Sequence, residues 1–241
     1  MSKILCFLPC CRRKNPDGRL EAIERSLTKE DLPETFSRLM QGREGMKNYV
    51  DYSSSLTTAI HLYDGFLYNS ISDLRDLTIQ SMQSNRIDVY IISAGYGIAS
   101  ALEPLHDYEA EMKEEIADHW LKHNLVGIIT DLLVQKKPQY VLGFFSGTSE
   151  WETQGSKYRY FFENGVNNAL DNGLEPKIAG CFNRRRSFEA KAKDILGALG
   201  RTYAEFIRRL SSGGPDEQWI EEIQMQGTRD ANVIIGFNRL T

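Results

Sequence analysis

The run Asp88–Ser93 constrains the fold more than any other part of the chain. Its letters, DVYIIS, are mostly β-branched or aromatic, and the run is too short for a stable helix, so it predicts a buried strand. Gly95 and Gly97 follow at once and predict a turn at the end of that strand. The chain therefore contains a core strand that leads directly into a glycine-rich turn.

Four further short apolar runs predict additional core strands. They cover residues 4–8, 140–145, 177–182 and 233–237. Between the strands, apolar residues recur three and four positions apart, which is typical of amphipathic helices. The predicted helices cover 32–40 with a break at 42–45, 55–82 with an interruption at Gly65, 111–135 with a break near Asn124, 157–171, 187–210 and 215–225. Residues 12–29 are polar and predict a loop.

Strands that alternate with helices are typical of an α/β protein. We expect an open parallel or mixed sheet flanked by helices, with a helical C-terminal region. A length of 241 residues suits one domain over 1–241, and the alternative is a helical extension over 187–241.

Composition narrows the class of protein. Hydrophobic residues make up 41 % of the chain, enough for a buried core, and no apolar run approaches the roughly 20 residues that cross a bilayer. Four cysteines are too few for a disulfide scaffold, and the N-terminus has no signal-peptide pattern, so we expect a cytoplasmic protein without a membrane partner. No second cysteine pair completes a metal site, and no dinucleotide or phosphate-binding glycine motif occurs, so no metal or cofactor is predicted.

In open α/β sheets, ligands bind beyond the carboxyl ends of the strands. Three segments follow predicted strands in this way and are expected to meet: 9–14, 93–112 and 145–150. The first carries Cys10, Arg12, Arg13 and Lys14. Lys14 is a candidate nucleophile or cation, and Cys10 or Cys11 is a candidate thiolate. The alternative is a thiol packed in the core and cations that face water.

The segment 62–68 places Tyr63 and Tyr68 around Gly65. Tyrosine rings can stack on a base, and their hydroxyls form hydrogen bonds. The alternative is a joint between two helices with buried tyrosines.

Glycines and an aromatic residue mark the start of the 93–112 segment. Ser93, Gly95, Tyr96 and Gly97 let the backbone approach a ligand closely and expose amide hydrogens, which suits an anionic or planar partner.

Acidic residues dominate the rest of that segment. Glu103, Asp107, Tyr108 and Glu111 lie within nine residues, and paired carboxylates of this kind serve glycosidic-bond cleavage. The alternative is the acid-rich start of a helix, which the helix dipole favours.

Positive charge is clustered although the net charge is −4. That balance argues against a protein that coats nucleic acid over its whole surface, but it leaves room for a local basic patch. Arg184, Arg185 and Arg186 form the largest cluster outside the 9–14 segment, and each such cluster can equally be a solvated face.

The 93–112 segment, SAGYGIASALEPLHDYEAEM, resembles the signature of the YaaA peroxide-stress family. The positions that match include Ser93, Tyr96, Gly97, Tyr108 and Glu111. The N-terminal Pro-Cys-x-x-x-Lys pattern that ends at Lys14 is similar instead to a motif of archaeosine synthase, a base-modifying enzyme of transfer RNA.

The resemblance implies a nucleic-acid partner, DNA first and RNA as the alternative. We expect a DNA glycosylase-like enzyme that excises a modified or damaged base, in repair or anti-phage defence, after turning the nucleotide out of the stack. Tyr96 and Tyr108 would flank the base, and a carboxylate would activate water. The cations at 12–14 and 184–186 would hold phosphates. The alternatives are a non-enzymatic DNA-binding stress protein and a transferase that modifies a base in RNA.

Overall fold

The computed structural model describes residues 4–187, 190–211, 213 and 216–241. Its strands are β1 (Ile4–Pro9), β2 (Val50–Asp51), β3 (Thr57–Thr58), β4 (Asp88–Ser93), β5 (Gly97–Ser100), β6 (Pro104–Leu105), β7 (Asp107–Tyr108), β8 (Tyr140–Phe144), β9 (Ile178–Ser187), β10 (Thr228–Asp230) and β11 (Val233–Arg239). Its α-helices are α1 (Phe36–Gly45), α2 (Ala59–Leu62), α3 (Leu74–Gln83), α4 (Glu114–Lys122), α5 (Leu125–Lys136), α6 (Tyr158–Asp171), α7 (Ala192–Ser211) and α8 (Glu217–Gln226).

Seven of the strands form one mixed sheet in the order β10-β11-β9-β8-β1-β4-β5. The four central strands β9, β8, β1 and β4 are parallel to one another. At one edge β5 is antiparallel to β4, and at the other β11 is antiparallel to β9 and β10 is antiparallel to β11. The predicted α/β class, with a mixed sheet flanked by helices and helices near the C-terminus, is confirmed.

Helices cover both faces of the sheet because the central strands are apolar on both sides. Every residue of β1 and β4 is buried. Phe7 of β1 lies opposite Gly143 of β8, and the centre of its ring is 5.3 Å from that of Phe162 in α6. Phe144 follows Gly143 in β8 and therefore points to the other face, where the centre of its ring is 6.4 Å from that of Phe206 in α7. Parallel strands buried in this way read as continuous apolar runs, which is why the sequence predicts them well.

Two glycine segments behave differently from the prediction. Gly97 does not only end a turn: it begins β5, which returns antiparallel to β4. Its φ of +71° suits glycine, and a Cβ there would meet the Trp120 ring at 2.5 Å. The expected break at 42–45 is also wrong, because α1 continues to Gly45 and Gly42 lies against Trp120. These glycines allow close packing on a buried indole.

The region after residue 182 also differs. The prediction ends a strand at 182 and starts a helix at 187, but β9 continues to Ser187 and α7 begins at Ala192. The extension is stabilised by β11, which pairs with β9 from Val233 to Arg239. The C-terminal part of the chain is therefore not purely helical, since it contributes two strands to the sheet. No helix in the described part of the chain is both long and apolar enough to cross a membrane.

Candidate functional site

A charged cleft lies beyond the carboxyl end of β1. Its volume is about 390 Å³, and it is lined by Arg12, Lys14, Glu109, Ala110 and Glu111. It lies between two segments, 12–14 and 109–111, which we call the basic bank and the acidic bank. The cleft thus brings together the 9–14 and 93–112 segments that the sequence places at one edge of the sheet.

The basic bank is held by the segment that follows α2. Lys14 forms an antiparallel bridge with Tyr63, and the Asp64 amide donates to the Arg13 carbonyl at 3.0 Å. Arg13 Nε in turn donates to the Asp64 carbonyl at 2.6 Å. The close approach requires a glycine at position 65, because a Cβ on Gly65 would lie 2.7 Å from that of Cys11. The two helices predicted on either side of Gly65 are present but shorter than the apolar spacing predicts, because α2 ends at Leu62 and α3 begins at Leu74.

The acidic bank is held by the small ribbon of β2 and β7. Val50 pairs with Tyr108 and Asp51 with Asp107, and the Glu109 amide donates to the Tyr49 carbonyl at 2.9 Å. The ribbon turns the chain so that 109–111 faces the basic bank.

The Tyr108 ring lies beneath Lys14, behind the residues that line the cleft. The Lys14 ammonium lies 4.0 Å from the centre of the ring and donates to the Arg12 carbonyl at 3.2 Å. A cation above a tyrosine face is attracted by the quadrupole of the ring, so the contact helps to hold the Lys14 side chain in place.

The hydroxyl of Tyr108 points away from the cleft into a buried cluster. The Ser93 hydroxyl donates to Tyr108 Oη at 3.0 Å, and Tyr63 Oη lies 3.1 Å from Ser93 Oγ and 3.2 Å from Tyr108 Oη. Burial raises the pKa of Tyr63 and of Tyr108 well above the ordinary value, so both phenols are neutral. The cluster fixes the ring on which Lys14 rests.

Cys10 lies under the basic bank and is buried. Its Sγ is 3.0 Å from Tyr158 Oη and accepts a hydrogen bond from the Ala94 amide at 3.4 Å. Burial raises the pKa of the neighbouring Cys11 thiol to about 12, and that thiol donates to the Arg13 carbonyl at 2.9 Å. Cys11 is therefore a neutral structural thiol.

Glu111 is the carboxylate that faces the cations of the cleft. It lies 2.7 Å from the Lys113 ammonium and 3.6 Å from the Arg12 guanidinium. The hydrogen bond from Lys113 lowers the pKa of Glu111 below the ordinary value, with smaller contributions from the charges of Arg12 and Lys14. Its side chain is 38 % exposed, so an ionised carboxylate remains open to solvent in the cleft.

Glu103 lies at the other end of the β4–β5 hairpin. Ser100 pairs with Tyr90, and the chain has returned toward the amino end of β4 before it reaches Glu103. There Glu103 is buried, and its Oε1 accepts from Arg43 at 2.6 Å. The structure does not bring it together with Lys14.

Asp107 lies next to the cleft without lining it. Its Oδ1 accepts from the Tyr108 amide at 2.7 Å, and its own amide donates to Ser54 Oγ at 2.9 Å. These bonds hold the β2–β7 ribbon.

The other predicted aromatic residues are packed into the protein. Tyr68 is fully buried and donates to the Pro9 carbonyl at 2.7 Å. Tyr96 is half-buried, and its hydroxyl donates to the His106 carbonyl at 3.1 Å. Gly95 allows Tyr108 to pack closely, because a Cβ there would lie 2.6 Å from the ring. These residues support the cleft from behind.

Arg184, Arg185 and Arg186 are exposed on the part of β9 that extends past the end of β8. They lie on the same edge of the sheet as the cleft, but β8 separates β9 from β1. Arg185 donates to the Met225 carbonyl at 2.8 Å.

Sequence reasoning misses several residues of the cleft. Glu109 and Ala110 line it, and Tyr158 contacts Cys10, but none of them carries a local signal. Tyr158 opens α6, a distant part of the chain, and only the fold places it beside residue 10.

Among the described residues, no group of three His, Cys, Asp or Glu side chains is placed to hold a metal ion. A comparison with protein-family models finds no matching family, and a comparison with curated proteins finds no match.

Proposed function

We propose that this protein is a DNA glycosylase-like enzyme that excises a modified or damaged base. The observation that carries the proposal is the charged cleft, in which an ionised carboxylate and an ammonium group line one cavity of about 390 Å³. That volume is within the range of sites that enclose a small molecule, about 300–1,000 Å³. A base turned out of a strand, with its sugar, is a ligand of this class.

The acidic bank suits the sugar of an N-glycosidic bond, and the basic bank suits the base that leaves. Glu111 is held as a carboxylate, so it is suited to stabilise the sugar cation and to accept a proton from attacking water. Lys14 is held over the Tyr108 ring and lines the same cleft, so its ammonium group is suited to donate a proton to the departing base. Water adds to C1′ as the bond to the base nitrogen breaks, and the products are a free base and an abasic sugar.

Water is the nucleophile in this proposal, because the Glu111 carboxylate is open to the cleft and can activate it. Arg12 is 89 % exposed at the mouth of the cleft and is suited to contact a phosphate of the strand.

The test is release of base from duplex DNA that carries natural, damaged or hypermodified bases. Abasic sites are detected by alkaline cleavage, and the free base by mass spectrometry. We expect Glu111→Gln and Lys14→Ala to abolish release while DNA binding is retained. The matched controls are Glu221→Gln and Lys29→Ala, which change exposed residues far from the cleft in sequence.

If no substrate loses a base while the wild type binds duplex DNA tightly, the proposal fails. The protein would then be a DNA-binding protein without glycosylase activity. If release persists unchanged in both cleft variants, the chemistry lies elsewhere in the molecule.

A further inference from the structure

Three aromatic side chains in the described part of the chain are more than a third exposed. They are Tyr49 at 37 %, Tyr52 at 62 % and Phe66 at 50 %. The other large hydrophobic residues with this exposure are aliphatic. Scattered exposed apolar residues are normal in proteins, but exposed aromatic residues confined to one place need an explanation.

Phe66 belongs to the segment that holds the basic bank. It follows Gly65, which lies against Cys11, and Asp64, which pairs with Arg13 through backbone hydrogen bonds and an ion pair of 2.9 Å. The ring is therefore next in the chain to residues that contact the cationic segment directly.

Tyr49 and Tyr52 lie directly before and after β2, whose partner β7 leads into the acidic bank. The Tyr49 carbonyl accepts from the Glu109 amide, and Glu109 lines the cleft. The Tyr52 ring contacts the ring of His106 edge-on, with centroids 5.5 Å apart, just before β7. The exposed aromatic residues thus belong to the segments that hold the two banks of the cleft.

We propose that Phe66 and Tyr52 stack on the bases that neighbour a nucleotide turned into the cleft. The inference rests on the proposed function and names the contacts that hold the opened strand. Turning out a nucleotide leaves its neighbours without a stacking partner, and an aromatic ring can replace the lost contact.

Charge favours nucleic acid over a protein partner at this surface. Arg12 and Arg13 of the basic bank are 89 % and 61 % exposed, and Arg13 pairs with Asp64, two residues before Phe66. Cations close to aromatic residues suit a strand of phosphates and bases. The buried tyrosines 63, 68 and 108 cannot take this role, because their rings are at most 1 % exposed.

The experiment measures binding to DNA that contains an uncleavable abasic analogue flanked by 2-aminopurine, whose fluorescence reports stacking. We expect the wild type to change that fluorescence on binding. Phe66→Ala and Tyr52→Ala should each weaken binding by about 5- to 100-fold and remove part of the signal. Phe66→Leu should behave like Phe66→Ala, since it keeps the apolar contact but not the ring, whereas Phe66→Trp should restore binding. Met225→Ala removes a side chain that is 71 % exposed on α8 and should have no effect.

The outcomes separate this inference from the function on which it rests. If the wild type binds and releases base but the alanine variants keep full affinity and signal, the stacking inference is overturned and the glycosylase proposal stands. If the wild type binds no DNA, both are overturned. If the protein without DNA forms a dimer that Phe66→Ala dissociates, the rings belong to a contact between two copies, which also overturns the inference.

Discussion

Two arginine–glutamate pairs, Arg43–Glu103 and Arg12–Glu111, differ in almost every physical respect. Arg43 and Glu103 are 16 % and 5 % exposed and lie 2.6 Å apart. Arg43 also donates to the carbonyls of Tyr96 at 3.1 Å and Ile98 at 2.7 Å. Arg12 and Glu111 are 89 % and 38 % exposed and lie 3.6 Å apart.

The difference in exposure shows which of the two carboxylates, Glu103 or Glu111, is available to a ligand. Every hydrogen bond around Glu103 is to the protein, so this carboxylate ties β5 to α1 and has no free surface for a ligand. Glu111 pairs with the exposed cations Arg12 and Lys113 and keeps an open face. A buried pair is expensive to break, whereas an exposed pair contributes little to stability.

Breaking the buried pair gives the largest expected effect. Arg43→Ala leaves the Glu103 carboxylate buried without its partner, and we expect a loss of about 3–5 kcal/mol in the free energy of unfolding. Arg12→Ala should cost less than about 1 kcal/mol. Urea unfolding of both variants measures the contrast, and equal losses would show that the comparison is wrong.

Glu111→Gln, in the exposed pair, should have a large effect on activity and a small effect on stability. We expect base release to fall at least about 100-fold, because the amide cannot accept a proton or stabilise a sugar cation. The free energy of unfolding should stay within about 0.5 kcal/mol of the wild type. A variant that loses activity only in proportion to its loss of folded protein would contradict the proposed role.

Tyr108→Phe tests whether the hydroxyl of the ring beneath Lys14 serves stability, as the buried pair does, or activity, as the exposed pair does. The change removes a hydroxyl from the cluster with Tyr63 and Ser93, and we expect a loss of about 1–2 kcal/mol in unfolding free energy. The ring beneath Lys14 is kept, so base release should change little. A large drop in release from a fully folded variant would mean that the hydroxyl takes part in the chemistry.

The smallest expected effect is a shift in pH dependence. The hydrogen bond from Lys113 lowers the pKa of Glu111, so the acidic limb of the rate profile should lie below the ordinary glutamate pKa. Lys113→Ala removes that bond and should move the limb to higher pH. The same lowered pKa means that the small contribution of Glu111 to stability is present above the ordinary glutamate pKa and is lost as the pH falls through the lower folded value. An unchanged limb would exclude Glu111 as the titrating group.

Local sequence patterns predict the central strands and part of the cleft. The runs 4–8, 88–93 and 140–145 are apolar throughout because parallel strands are buried on both faces, so their letters alone predict them. The sequence also predicts Lys14 and Glu111 as site residues, because they lie in the segments that follow the strands 4–8 and 88–93, and these strands end at the same edge of the sheet.

Long-range packing decided which of the candidate groups face a ligand. Glu103 and Glu111 are equally acidic in the sequence, but the hairpin that begins at Gly97 carries the first to the far end of β4. Of the two tyrosines expected to flank the base, Tyr108 is buried and Tyr96 is half-buried, whereas Tyr52 and Phe66 are exposed, because exposure depends on neighbours that are distant in the chain. Ser187 reads as the start of a helix until β11 pairs with β9 and extends the strand. The letters determine where strands and charges occur, and contacts between distant segments determine which charges remain open to solvent.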